Sequence, residues 1–181
     1  MEIIKHRIEG LVELKPMIFH DERGYFFESF HVEKLRNANV PIDFVQDNQS
    51  FSKKGVIRGL HFQREPFGQG KLVRVLSGRV LDVALDIRPN SPTFGQHMSC
   101  LLDSKMNNSL YIPAGFAHGF AALEDSVFFY KCTNFYHKES EMGIRWNDDS
   151  LNIDWMIEEP IISEKDQLLP DFEEVVKTLF S

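Results

Sequence analysis

The sequence lacks any apolar run long enough to span a bilayer, and its first ten residues contain no apolar core of a secretory signal. We therefore expect no membrane segment and a cytoplasmic location. Cysteine is also scarce, since only Cys100 and Cys132 are present. Both lie in apolar, strand-like surroundings, which indicates small core residues and not a disulfide framework.

Positive charge is in the minority, with 20 lysines and arginines against 27 acidic residues and a net charge of -7. Nucleic acids select basic surfaces, so this balance argues against a nucleic-acid partner. An anionic ligand would need a local cluster of cations that acts against the global field. Because internal repeats and linker-like stretches are absent, we predict one domain over residues 1–181.

Short strands with little helix between them dominate the pattern, which predicts an all-β sandwich or barrel. Residues 24–30, GYFFESF, are predicted as a strand. The dipeptide Ser77-Gly78 between KLVRVLS and RVLDVALDIR predicts a compact hairpin. Only two helices are expected: a short one over Phe30–Asn37 and a C-terminal one capped by Asp171.

Two predicted strands carry polar residues on one face. In FVQDNQSF these are Gln46, Asn48 and Ser50, and in RVLDVALDIR they include Asp82 and Asp86, opposite an apolar face. Such a face is either solvated or lines a binding cavity.

The stretch GVIRGLHFQREPFGQGK holds three groups able to do chemistry, Arg58, His61 and Lys71. Strict alternation places Arg58 and His61 on opposite faces of a strand. A bulge at Gly59 would bring them together, because glycine inside a strand often marks a bulge. The bland alternative is a surface arginine and a core histidine.

A second motif, YIPAGFAHGFAAL, has the spacing P-x-G-x-x-H that ends at His118 and resembles the second motif of the cupin superfamily. Metal-binding cupins supply H-x-H in the first motif, but here His61 is followed by Gln63, a poor ligand for transition metals. A site rebuilt from His61, His118 and Glu65 would be unusual, so we predict no metal.

A third motif, VFFYKCTNFY, contains Tyr130 among strand-forming residues. If Phe128 and Tyr130 share the interior face, the phenol points into the barrel. It would then serve as a buried hydrogen-bonding group or as a general acid opposite a base.

Together these motifs resemble the dTDP-4-dehydrorhamnose 3,5-epimerase family, whose fold is a cupin-type jelly-roll β-barrel. The resemblance extends from about Phe19 to Asp166 and rests on the following segments: DERGYFFESF, FVQDNQSFSKKGVIRGLHFQ, QGKLVRVLSGRVLDVALDIRPNSPTFG, YIPAGFAHGF, YKCTNFY, GIRWND and SEKD.

The resemblance implies that His61 is the general base, Tyr130 the proton donor and Asp166 the residue that orients His61, with Lys71 facing the sugar carbonyl. Asp82 stays open as the alternative partner of His61, because strand parity does not exclude it. The implied ligand contacts, with Tyr136 stacking near the sugar, are Arg23, Glu28, Gln46, Asp47, Asn48, Arg58, Lys71, His118, Tyr136, Glu141 and Lys165.

The implied reaction inverts C3 and C5 of a dTDP-4-keto-6-deoxy sugar through an enolate, without a cofactor. Three other functions remain open: a monofunctional 3- or 5-epimerase, a non-catalytic nucleotide-sugar-binding cupin and a metal-dependent cupin oxygenase. The resemblance also implies a homodimer with exchanged N-terminal strands.

Overall fold

Two packed antiparallel sheets make up the core of the computed structural model, which describes residues 1–179. One sheet has six strands in the spatial order β1 (Glu2–Lys5), β2 (Val12–Lys15), β10 (Ser109–Ile112), β7 (Lys71–Ser77), β12 (Ser126–Cys132) and β5 (Gln46–Ser52). The other has five, in the order β13 (Glu141–Gly143), β6 (Ile57–Gln63), β11 (Phe116–Ala122), β8 (Arg79–Asp86) and β9 (His97–Asp103). A separate hairpin pairs β3 (Phe19–Asp21) with β4 (Gly24–Phe26). This architecture confirms the predicted all-β jelly roll.

The helices are short and peripheral. They are α1 (Val32–Asn37), a 3₁₀ turn (Lys138–Ser140), α2 (Glu164–Gln167) and α3 (Phe172–Leu179). Both predicted helices are present, and Asp171 accepts the backbone N–H of Glu174 at 3.0 Å, as expected of a cap. None of the helices in residues 1–179 is long and apolar enough to cross a membrane.

The space between the sheets is filled by aromatic and branched side chains. Val73, Val75 and Phe128 from the six-stranded sheet meet Phe116 and Phe120 from the five-stranded sheet, and all are nearly inaccessible. The Phe120 and Phe128 rings stack with centroids 4.2 Å apart. This packing joins the two sheets and leaves a cavity lined by residues of both.

Strand β8 is buried on both faces, although its sequence pattern is amphipathic. Its apolar face packs outward against Ile144, Trp155 and Val175 of the C-terminal segment. The face with Asp82 and Asp86 therefore points into the barrel, where both carboxylates are fully buried. The polar face of β8 therefore lies inside the barrel and not in solvent.

The predicted hairpin at Ser77-Gly78 is wrong as a pairing, because β7 and β8 belong to different sheets. Gly78 has a φ of +78°, and a Cβ there would lie 2.3 Å from the carbonyl oxygen of Asp125. The glycine thus lets the chain cross closely from one sheet to the other. The strand prediction for GYFFESF is also too long, because β4 ends at Phe26. The next residue, Phe27, packs against Arg74, whose guanidinium carbon lies 5.3 Å from the centroid of the Phe27 ring.

Candidate active site

A bulge in β6 shapes the wall of the cavity. His61 lies opposite His118 on β11 while Arg58 lies opposite Phe120, so β6 holds one extra residue in this interval. Gly59 takes a φ of +119°, and a Cβ there would lie 2.5 Å from the Cα of Gly119. The predicted bulge is confirmed, and it brings Arg58 and His61 to the same cavity.

That cavity has a volume of about 310 Å³ and lies between the two sheets. Seven of the residues that the sequence predicted for the site line it: Arg58, His61, Lys71, His118, Tyr130, Lys165 and Asp166. Ser50, Gly119, Phe120, Phe128 and Ser163 complete the lining.

His61 is held by Asp166, which the N-terminus of α2 presents. The His61 Nε2 lies 2.7 Å from Asp166 Oδ1, and Oδ2 accepts the backbone N–H of Gly59 at 3.3 Å. Burial acts to raise the pKa of Asp166, but the bond to His61 and nearby positive charge hold it below its usual value. An ionised carboxylate only accepts, so Nε2 carries the proton. The other ring nitrogen, Nδ1, remains for a ligand.

Asp82 contacts the other histidine of the cavity. Its Oδ2 lies 2.9 Å from His118 Nε2, and both groups are buried. Burial lowers the pKa of His118, and the adjacent carboxylate opposes that shift. The partner of His61 is therefore Asp166, while Asp82 pairs with His118.

Tyr130 and Lys71 come from the six-stranded sheet, opposite His61. Burial raises the pKa of Tyr130, so its phenol keeps its proton at neutral pH. Burial lowers the pKa of Lys71, while the nearby Cys132 and Asp82 oppose that shift. The predicted interior position of Tyr130 beside Phe128 is confirmed.

A second set of predicted residues is connected to the cavity residue Lys165 by a series of hydrogen bonds. Glu141 Oε2 accepts from Tyr136 Oη at 2.9 Å and from Lys165 Nζ at 2.7 Å. Burial favours the neutral acid, but these two bonds bring the pKa of Glu141 below its usual value. Gln46 Nε2 donates to Asn48 Oδ1 at 3.0 Å, and Gln46 Oε1 accepts the backbone N–H of Tyr136 at 2.9 Å.

Three predicted ligand residues lie away from the cavity of their own chain. Arg23 pairs with Asp21 on the exposed β3–β4 hairpin, at 2.6 Å, and Glu28 pairs with Lys34. Asp47 points to the outer face of β5, where Lys131 Nζ contacts it at 2.9 Å.

Ser163 is a cavity residue that the sequence analysis missed. Its hydroxyl accepts the backbone N–H of Asp166 at 3.1 Å and caps α2. The signal was present, because serine three residues before an acid is a helix-start pattern.

The alternative metal site is not assembled. Glu65 lines a different cavity, together with Arg64 and Arg88, and each cavity histidine contacts an aspartate. Within residues 1–179 no group of three or more His, Cys, Asp or Glu side chains is arranged to hold a metal ion.

The fold and the cavity together define a class of protein, a cupin-type jelly roll with ionisable side chains from both sheets around one cavity. A family model described as dTDP-4-dehydrorhamnose 3,5-epimerase matches residues 5–174. The chain belongs to this family and is therefore an isomerase.

Individual relatives agree with the family model. The chain is 49% identical over 168 residues to a dTDP-4-dehydrorhamnose 3,5-epimerase of Shigella flexneri. The aligned residues make up 92% of this chain and 93% of the relative. A Legionella pneumophila 3,5-epimerase, solved in complex with dTDP-4-keto-L-rhamnose, is similar with a TM-score of 0.93 and 45% identity over 98% of this chain and 96% of that one. A 3'-monoepimerase of Streptomyces bikiniensis, solved with dTDP-quinovose, has a TM-score of 0.90 and 32% identity over 96% and 89% of the two chains.

Proposed function

We propose that this protein inverts C3 and C5 of dTDP-4-dehydro-6-deoxy-D-glucose to form dTDP-4-dehydro-L-rhamnose, in deoxysugar biosynthesis in the cytoplasm. Membership of the family and the ligand of the Legionella relative support the substrate class. Two buried, unpaired cysteines, Cys100 and Cys132, are compatible with a reducing compartment.

One observation carries the proposal: His61 and Tyr130 line a single cavity from opposite sheets. A sugar bound between the sheets has a base on one side and an acid on the other. Inversion of a carbon centre needs this arrangement, because the proton must leave from one face and return to the opposite face.

The 4-keto group makes the protons on C3 and C5 acidic, since removal of either one forms an enolate. His61 Nδ1 takes the proton, and Asp166 stabilises the resulting imidazolium through Nε2. The Lys71 ammonium stabilises the enolate oxygen, and Tyr130 returns a proton from the other side. Arg58, with its planar fork, supplies positive charge for the diphosphate.

Proton NMR in deuterium oxide tests this function. The purified protein, incubated with dTDP-4-keto-6-deoxyglucose, is expected to introduce deuterium at both C3 and C5. A rhamnose-forming reductase should then trap the doubly inverted product. Deuterium at only one carbon would identify a monofunctional epimerase like the Streptomyces neighbour. Absence of exchange, with dTDP still bound, would favour the non-catalytic binding protein.

We also propose a homodimer in which N-terminal strands are exchanged, so that Arg23 and Glu28 reach the partner's cavity. The β3–β4 hairpin exposes Phe19, Tyr25 and Phe26 by 57%, 60% and 67%, which suits burial against a second copy. Co-expressed Arg23→Ala and His61→Ala chains should regain activity, because a mixed dimer has one intact site. A monomeric mass by light scattering would contradict the dimer.

A further inference from the structure

Gln63 occupies the position of the second histidine in the H-x-H motif of metal-binding cupins, and the proposed reaction gives it no role. It is the last residue of β6 and only 8% exposed. A buried primary amide needs partners for two N–H groups and an oxygen, so the identity of those partners indicates what the residue does.

All the hydrogen bonds of this amide go to the backbone of two loops. Its Nε2 donates to the carbonyl of Phe67 at 2.6 Å and to that of Phe135 at 3.2 Å. Its Oε1 accepts the backbone N–H of His137 at 2.8 Å. Gln63 therefore holds the chain immediately before and immediately after Tyr136.

The two loops are joined at further points near Gln63. The rings of Phe67 and His137 stack with centroids 3.7 Å apart and planes within 3°. The backbone N–H of Arg64 donates to the carbonyl of Ser140 at 2.9 Å. Among residues 1–179, however, only Gln63 bonds the residues on both sides of Tyr136.

Tyr136 itself is 52% exposed, and its hydrogen-bond partner Glu141 also bonds the cavity residue Lys165. Its ring is held by the bond from its hydroxyl to Glu141, and its own N–H is bonded to Gln46. A half-exposed aromatic side chain can stack against a ligand with little ordering cost only if its backbone is already fixed.

We propose that Gln63 is a positioning residue for nucleotide-sugar binding, because its amide fixes the backbone around Tyr136 and so preorganises the ring that the ligand contacts. This inference rests on the proposed function. In metal-binding cupins the second histidine of H-x-H is a metal ligand. In the H-x-Q sequence of this protein, the glutamine at that position instead holds two loops in place. The three hydrogen bonds of its amide go to Phe67, Phe135 and His137, and none goes to His61 or Tyr130.

The test is a double-variant comparison by calorimetric titration with dTDP-quinovose, a dTDP-sugar without the reactive ketone. Gln63→Met, which keeps the length and removes the amide, should weaken dTDP-quinovose binding about tenfold, as expected for the loss of neutral hydrogen bonds. Steady-state assays should show the same rise in KM, with kcat changed less than about threefold. In a Tyr136→Ala background the Gln63→Met change should add nothing, because its effect passes through Tyr136.

The matched control is Gln96→Met, since Gln96 is exposed on the loop before β9 and away from the cavity. If Gln63→Met fails to fold, Gln63→Glu provides the comparison, because it keeps the acceptor for His137 and loses both donors. A folded Gln63 variant with unchanged dTDP-quinovose affinity, or with an additive effect in the Tyr136→Ala background, would overturn the inference. A wild-type protein that neither binds dTDP nor exchanges deuterium would instead overturn the proposed function.

Discussion

Asp166→Asn is the perturbation that most directly tests the chemistry of the cavity. In the wild-type protein the Asp166 carboxylate accepts from His61 Nε2, which leaves Nδ1 unprotonated, as the proposed role of His61 requires. An asparagine would direct its carbonyl to the Gly59 N–H and its amide N–H to Nε2. The imidazole proton would then move to Nδ1, and His61 could no longer take a proton from the sugar.

The size of the effect can be worked from the geometry. The His61 side chain is 29% exposed and that of Asp166 is 5% exposed, so an intermediate effective dielectric applies. At about 4 Å between charge centres, an imidazolium and a carboxylate attract by ~4 kcal/mol at an effective dielectric of 20. Losing that term slows imidazolium formation about a thousandfold, and the wrong tautomer brings the total to about 10³–10⁴-fold.

The assay follows deuterium entry at C3 and C5 by NMR, together with thermal unfolding. Asp148→Asn serves as the control, because Asp148 is a buried aspartate that accepts the N–H of Phe172 at 2.6 Å, outside the cavity. The double variant His61→Ala/Asp166→Asn should exchange no more slowly than His61→Ala alone. A folded Asp166→Asn protein that exchanges within about tenfold of wild type would refute the orienting role.

Three further changes have distinct expected outcomes. Tyr130→Phe should retain exchange within about tenfold but reduce inversion a hundredfold or more, because removal of the proton needs only the base; equal loss of both would mean that Tyr130 has a structural role. Lys71→Met should lower kcat by about 10²–10³ while calorimetry finds dTDP affinity nearly unchanged, since Lys71 is placed at the carbonyl and not at the nucleotide. Burial acts to raise the pKa of Asp86, but hydrogen bonds from Arg88, Ser91 and Thr93 bring it down to about 2. Asp86→Asn should therefore lower the free energy of unfolding at pH 7 by ~2–3 kcal/mol. This contribution is present above the unfolded-state pKa of about 4 and is lost as pH falls toward 2, so urea titrations should show the stability difference between wild type and variant shrinking to about half between pH 7 and pH 3.

Much of the fold was predictable, because strand alternation and loop composition are local properties. The polar face of β5, with Gln46, Asn48 and Ser50, is confirmed as the half-buried face. Pairing was less accessible to sequence reasoning. Gly78 has the backbone freedom that both a hairpin and a crossing between sheets require, so its residue type does not distinguish the two.

The side of the sheet that the polar face of β8 occupies could not be predicted from residue polarity either. Asp82 and Asp86 alternate with apolar residues as they would on a solvated strand, yet both are fully buried. The outer face of β8 is apolar because the C-terminal segment covers it. A pattern of period two reports that the faces differ, and only the neighbouring elements decide which face is inside.

His61 and Asp166 also differ in how far their positions could be predicted from local sequence. The position of His61 follows from a local requirement at Gly59, where a positive φ and the absence of a Cβ permit the bulge. Asp166 is 105 residues away and reaches His61 through α2, so no spacing rule predicts the contact and only the family resemblance did. The C-terminal segment that leads to α2 packs on the outside of the five-stranded sheet. The contact that orients His61 therefore depends on packing outside the barrel, while the place of His61 in the cavity depends on Gly59 within it.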